Sequence, residues 1–218
     1  MEEGIRGKGE RDLSADGRAE PEEQGDTDSS ETMNEDRTGL ENGRRSGSKE
    51  SVRTTGTGTR IFLRPVQKED EQLLRSFVEV LSEDALYHRF FRRVRPAGDL
   101  LHRLVDIDET KQAAILALIN HGNNEEIVGV GRYFVEPRGD SAEIVITVRD
   151  DHQNNGIGRE LLSHLISLAR AQGLKGLTAQ VLADNVPMLR LLRSFEGTEY
   201  DIRRRLDAGV FHFEMRLT

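Results

Sequence analysis

Cysteine is absent from this chain, which excludes disulfides, thiolate metal sites and a cysteine nucleophile. Tryptophan is absent too, and the aromatics are only eight Phe and three Tyr. Long apolar runs are missing: the longest, Ala113 to Ile119, falls far short of the roughly 20 residues a membrane helix needs. The opening Met1-Glu2-Glu3-Gly4 is acidic and has no apolar secretory core, so a cytoplasmic protein with no membrane partner is expected. There is no basic excess either. The formal net charge is −8 at pH 7, against the basic surface that nucleic-acid binding requires. Lys/Arg do cluster at Arg89–Arg95 and Arg203–Arg205, but among acidic neighbours. The six histidines (88, 102, 121, 152, 164 and 212) show no HExxH or comparable spacing, so no metal site is expected.

What is present divides near residue 58. Residues 1–58 hold ten of the 21 glycines and no aromatic residue, with nine basic and fifteen acidic side chains. Their larger apolar residues (Ile5, Leu13, Met33, Leu40, Val52) are isolated. Such a segment cannot bury enough surface to offset the roughly 1–2 kcal/mol per residue that ordering a backbone costs. It reads as a disordered acidic tail. Residues 59–218 carry the remaining 22 basic and 24 acidic residues, and read as one domain with a core of its own.

Within that domain the patterning predicts a strand at 59–66, helices at 68–81, 84–93 and 98–105, and a hairpin of 112–120 with 126–137. A central strand follows at 142–148. The main helix, 157–172, carries Ile157, Leu161, Leu162, Leu165, Ile166 and Leu168 on one broad face. A strand at 177–182, a helix at 186–195 and terminal strands near 200–206 and 210–217 complete a mixed α/β domain. The periodicities alone establish no more than that.

The stretch Val148-Arg149-Asp150-Asp151-His152-Gln153-Asn154-Asn155-Gly156-Ile157-Gly158-Arg159 is more specific. A strand, a glycine-bearing turn and a helix start together place backbone N–H groups at the positive end of a helix dipole, which suits a phosphate. It is not a P-loop, because no Lys-Ser or Lys-Thr follows the glycines. Nor is it a dinucleotide fingerprint, because only two glycines are present and Gln153 takes the first slot. Downstream, Val181-Leu182-Ala183-Asp184-Asn185-Val186-Pro187 reads as a strand end and an Asn-headed helix start.

Gln153 to Gly158, the helix after it, the Val181–Asn185 strand end and the helix ending near Phe195 resemble the GNAT superfamily of acetyl-CoA-dependent N-acetyltransferases. A shorter segment, Leu81-Ser82-Glu83-Asp84-Ala85-Leu86-Tyr87-His88-Arg89-Phe90-Phe91, is similar to bacterial protein-lysine acetyltransferases that act on acetyl-CoA synthetase. The resemblance implies a mixed, mostly antiparallel sheet of about seven strands. Helices lie on both faces, and the sheet is splayed at its central parallel pair. It implies that Gln153, Asn154, Asn155, Gly156, Ile157, Gly158 and Arg159 bind the cofactor, with the pyrophosphate of acetyl-CoA on backbone N–H groups from Asn154 to Arg159. The pantetheine arm would run along Ile146, Thr147 and Val148, with an N–H near Ile146 aimed at the thioester oxygen. Asn185 would bond the pantetheine amide, or simply cap the next helix. Arg149 and Arg159 are either phosphate partners or ordinary exposed arginines.

Glu143 alternates with Ala142 and Ile144, so its side chain leaves the sheet with Val145 and Thr147. The lysine-acetylating relatives carry a catalytic Glu at the matching place, which makes Glu143 the implied general base. Many relatives also carry a Tyr on the second cofactor helix as the acid for the departing thiolate; Leu192 stands there here, leaving no acid assigned. With no cysteine to carry the acyl group, direct transfer from acetyl-CoA to a primary amine is expected. A protein lysine is the favoured acceptor and a small amine the alternative. A non-catalytic acyl-CoA-sensing module is the competing reading, motivated by Leu192.

Overall fold

The computed structural model describes residues 50–95, 98–122, 124–198 and 200–217. Most of the expected acidic tail, residues 1–49, lies outside the described residues. Its end does not. Ser51–Thr54 forms a strand, β1, paired antiparallel with β2 (Arg60–Pro65) through Ser51 opposite Leu63 and Thr54 opposite Arg60. The sheet therefore starts ahead of the boundary expected at residue 58. Backbone bonds hold β1 while Val52 stays 47% exposed, so four residues with no buried apolar side chain left no hydrophobic signal to read.

The remaining strands are β3 (Gln112–His121), β4 (Asn124–Val135), β5 (Ser141–Val148), β6 (Gly176–Leu182), β7 (Ile202–Asp207) and β8 (Val210–Arg216). They form one eight-stranded sheet in the order β1-β2-β3-β4-β5-β6-β8-β7, one strand more than expected. Only β5 and β6 run parallel, and they pair at just three positions, from Ser141/Gly176 to Glu143/Thr178. Beyond Glu143 the two strands part.

Period-two alternation sends side chains to two separate cores. Ile61, Leu63, Ile115, Ala117 and Ile144 join the core under α4 (Ile157–Ala171) and α5 (Val186–Arg193). Leu116, Leu118 and Val130 face the other way, under α1 (Glu71–Val80), α2 (Glu83–Phe90) and α3 (Asp99–Val105). In α4, Ile157, Leu161, Leu162, Leu165, Ile166 and Ala169 are buried, and each of the larger ones contributes about 1.5–3 kcal/mol. Leu168, expected on the same face, is only partly buried at its edge. The helix α2 starts where the Ser82 hydroxyl accepts the Ala85 N–H at 3.0 Å. It ends three residues earlier than the spacing predicts, because Phe91 takes a left-handed conformation (φ 57°) that closes the last turn.

Candidate active site

A cleft of about 480 Å³ opens where β5 and β6 part. Its floor is β5 at Ile146, Thr147 and Val148; one wall is the turn into α4, the opposite wall the start of α5, and α2 closes the third side. The hydrogen-bond ladder explains why β5 offers a free edge there. The Arg149 N–H donates to Val128 and the Glu136 N–H to Ser141, so the odd-numbered residues of β5 form the bonded pairs with β4. In an antiparallel ladder the alternate residues then turn their N–H and C=O groups the other way. Ile146 and Val148 thus face the gap where pairing with β6 has ended. The Val148 carbonyl is met there by the Gln153 side-chain amide at 3.3 Å.

The turn ahead of α4 presents free backbone N–H groups. Asn154 (φ 60°) and Gly156 (φ 82°) are both left-handed, which turns successive N–H groups to one side. None of the N–H groups from Asn154 to Gly158 finds an acceptor among the described residues. A side chain at 156 would be strained in that conformation, and its Cβ would meet the Thr55 Cβ at 3.1 Å. That neighbour belongs to the β1–β2 turn, whose Thr57 hydroxyl donates to the Asn155 carbonyl at 3.0 Å.

Arg159 stacks on Phe195 at 4.7 Å and bonds the Ser194 hydroxyl at 3.0 Å, leaving it on the cleft rim. Arg149 is already engaged by Asp151, Glu126 and His152, so it reads as structural. Asn185 performs its capping role, its side chain accepting the Met188 N–H at 3.2 Å, and also lines the cleft.

Of the residues expected to hold a cofactor, all line the cleft except Asn155, whose carbonyl is taken by Thr57. Glu143 does not line it either. Its half-buried side chain is on the α1–α3 face, beside Phe134 of β4 and Thr178 of β6. No group among the described residues hydrogen-bonds or ion-pairs with its carboxylate, so it is not the tied structural acid that an ion-paired mid-strand Glu would be. Its charge acts on Arg89 of α2. Burial pushes this guanidinium down to about 10, with the Glu143 charge opposing the shift.

Sequence reasoning missed how α2 is fastened over the cleft. At one end the Ser82 hydroxyl and N–H both donate to Asp150, at 2.8 and 3.1 Å. At the other, His88 meets Asp184 at 3.2 Å. None of the three tyrosines lines the cleft, and Leu192 is 2% exposed in the core under α5. Among the described residues no cluster of three or more His, Asp or Glu is placed to hold a metal.

The sequence matches the family model described as Acetyltransferase (GNAT) family over residues 75–196. The chain is a GNAT acetyltransferase. It is 31% identical over 125 residues to Acetyltransferase PA5475 of Pseudomonas aeruginosa, a match covering 57% of this chain and 67% of that one. It is 33% identical over 138 residues to Acetyltransferase Pat of Mycolicibacterium smegmatis, covering 62% of this chain but only 40% of that longer protein. The crystal structure of the GNAT domain of S. lividans PAT superposes with a TM-score of 0.69 at 28% identity, over 77% of this chain and 97% of that one. Acetyl-CoA is the co-substrate of this family, and the free N–H groups, the unpaired β5 edge and the cleft suit such a molecule's pyrophosphate and extended amide arm.

Proposed function

We propose that this enzyme moves an acetyl group from acetyl-CoA directly to the side-chain amine of a protein lysine, as a cytoplasmic protein. The reading rests on one juxtaposition: an anion-binding turn and a free strand edge open on one side of β5, and an unpaired carboxylate, Glu143, sits on the same strand. The pyrophosphate would lie on the free N–H groups from Asn154 to Gly158, the Arg159 N–H being taken by the Gly156 carbonyl, and the arm would pair with Ile146 and Val148. The Ile146 N–H would then polarise the thioester carbonyl; one such donor is typically worth ~10²–10³ in rate.

The acceptor amine has a pKa of about 10.4 in water and is protonated near neutrality. Glu143, directly or through a water, would take the proton that prevents attack. A macromolecular acceptor is favoured by the surface beside Glu143. Thr178 lies next to it, Glu214 lies opposite Thr178 on β8, and both Glu214 and Gln180 are exposed on that face. With β1 paired to β2, the catalytic domain is proposed to begin at about residue 50 rather than 59, and the acidic segment before it to be a tail outside that domain.

The test is acetyl-CoA consumption with lysine peptides, folded protein acceptors and small amines side by side, with products read by mass. Acetyl-lysine in the protein arm is the expected result. Consumption only with small amines would transfer the reading to a small-amine acetyltransferase. Tight CoA binding without turnover on any amine would favour an acyl-CoA-sensing module.

A further inference from the structure

The unassigned acid leaves the charge on the departing sulfur with no named partner, and one cleft residue stands in an unusual state. Arg89 is mostly buried, yet its guanidinium makes no hydrogen bond and no ion pair with any described residue; its only close contact of note is the Phe90 ring at 4.8 Å. A guanidinium carries five N–H donors, and burying them without acceptors is costly unless a ligand completes the site. Its placement is equally specific. Arg89 and Thr147 line both the cleft and a small pocket beneath α1, which puts Arg89 against the stretch of β5 that follows Ile146. Two charged groups from other elements act on it, Glu143 of β5 and Arg132 of β4, and it shares the cleft lining with Asp84 and His88 of α2, Asp150, His152, Arg159 and Arg190. Arg132 donates to the Leu104 carbonyl and is committed there. His88 is drawn toward Asp184. Arg89 makes no such commitment among the described residues.

We propose that Arg89 is a catalytic residue that binds the sulfur of the leaving CoA and stabilises the thiolate as the acetyl group departs. The inference rests on the acetyl-CoA reading above. The amine nitrogen forms its bond to the carbonyl carbon, the C–S bond breaks, and its electron pair moves to sulfur. The proton lost by the amine goes to Glu143 and from there to solvent or to the sulfur. Arg89 keeps its own protons throughout and acts only as a cation. A tyrosine acid is then unnecessary, so Leu192 in that position is compatible with turnover.

The experiment is a pH titration of CoA bound to the full-length protein, following the ultraviolet absorbance of the thiolate. In the parent the bound thiol should ionise one to three pH units below the free thiol's value of about 8.5. Arg89→Met should return it to that value or above and lower kcat by ~10²-fold, with KM for acetyl-CoA within a few-fold. Arg89→Lys should fall between. Desulfo-CoA, which lacks the thiol, should bind parent and Arg89→Met alike, whereas CoA above its bound thiol pKa should favour the parent. A parent-bound thiol that titrates at or above the free value overturns the proposal without needing any variant. So does an Arg89→Met protein with an unaltered bound thiol or an unaltered kcat. Failure of the parent to bind CoA at all would instead bring down the acetyl-CoA reading, and this inference with it.

Discussion

Glu143 and Gly156 carry opposite kinds of evidence at the scale of single residues. Glu143 is a carboxylate left without a bonding partner on the central strand, so its replacement should cost chemistry rather than structure. Glu143→Gln is expected to bind acetyl-CoA within a few-fold of the parent and to lose ~10²-fold or more in kcat near neutral pH. Rate should partly return as pH rises and free amine forms unaided. Steady-state kinetics beside a thermal melt separate this from a structural role, which would lower stability and leave turnover per folded molecule intact. Gly156 is the reverse: its φ of 82° and the 3.1 Å approach of a Cβ to Thr55 mean any side chain strains the turn. Gly156→Glu should therefore lose about 1–2 kcal/mol of stability and, by placing a negative charge among the free N–H groups, the acetyl-CoA-induced rise in melting temperature as well. A full ligand shift in that variant would remove the turn from the site. The places of both residues, on a central strand and in a glycine turn before a helix, were legible in the sequence as local patterns, and the roles proposed for them came with the family resemblance. Arg89 was not legible. Its meaning comes from the packing of α2 on β5, and the chain between them gives no local signal of that contact.

Elements tell a similar story about distance along the chain. The main helix and the hairpin of β3 with β4 were readable because each buries a periodic apolar face, and the structure moves their ends by only a residue or two. The strand β1 was invisible, since it joins the sheet by backbone bonds and offers no buried apolar side chain. Its consequence can be measured by two truncations. A chain starting at residue 50 keeps β1 and the Thr57–Asn155 bond and should match the full-length protein in melting temperature and acetyl-CoA affinity. A chain starting at residue 59 exposes the edge of β2 and loses the turn that backs Gly156, so it should melt several degrees lower and bind acetyl-CoA more weakly. Equal behaviour of the two truncations would show that β1 contributes nothing to the fold or the site.

The described residues form one sheet between two cores, and the stability of this fold can be read through a group outside the cleft. His164 lies half-buried on α4, near Arg53 of β1, and burial first and the arginine second hold its pKa below the ordinary value of about 6.5. In the unfolded chain the imidazole takes up a proton as pH falls through that value, whereas the folded chain resists it. Stability is therefore retained above about pH 6.5 and lost below it, down to the lowered folded value. Carboxylates that titrate at lower pH add to the loss further down, so the informative window is pH 5 to 7. Melting temperatures across it should decline for the parent and decline less for His164→Gln. The two causes can also be separated in part, because Arg53 leaves with β1 while His164 stays on α4. The chain starting at residue 59 should accordingly show a shallower dependence than the chain starting at residue 50, though not a flat one. A His164→Gln protein whose melting temperature falls as steeply as the parent's would show that the acid sensitivity of this fold arises elsewhere.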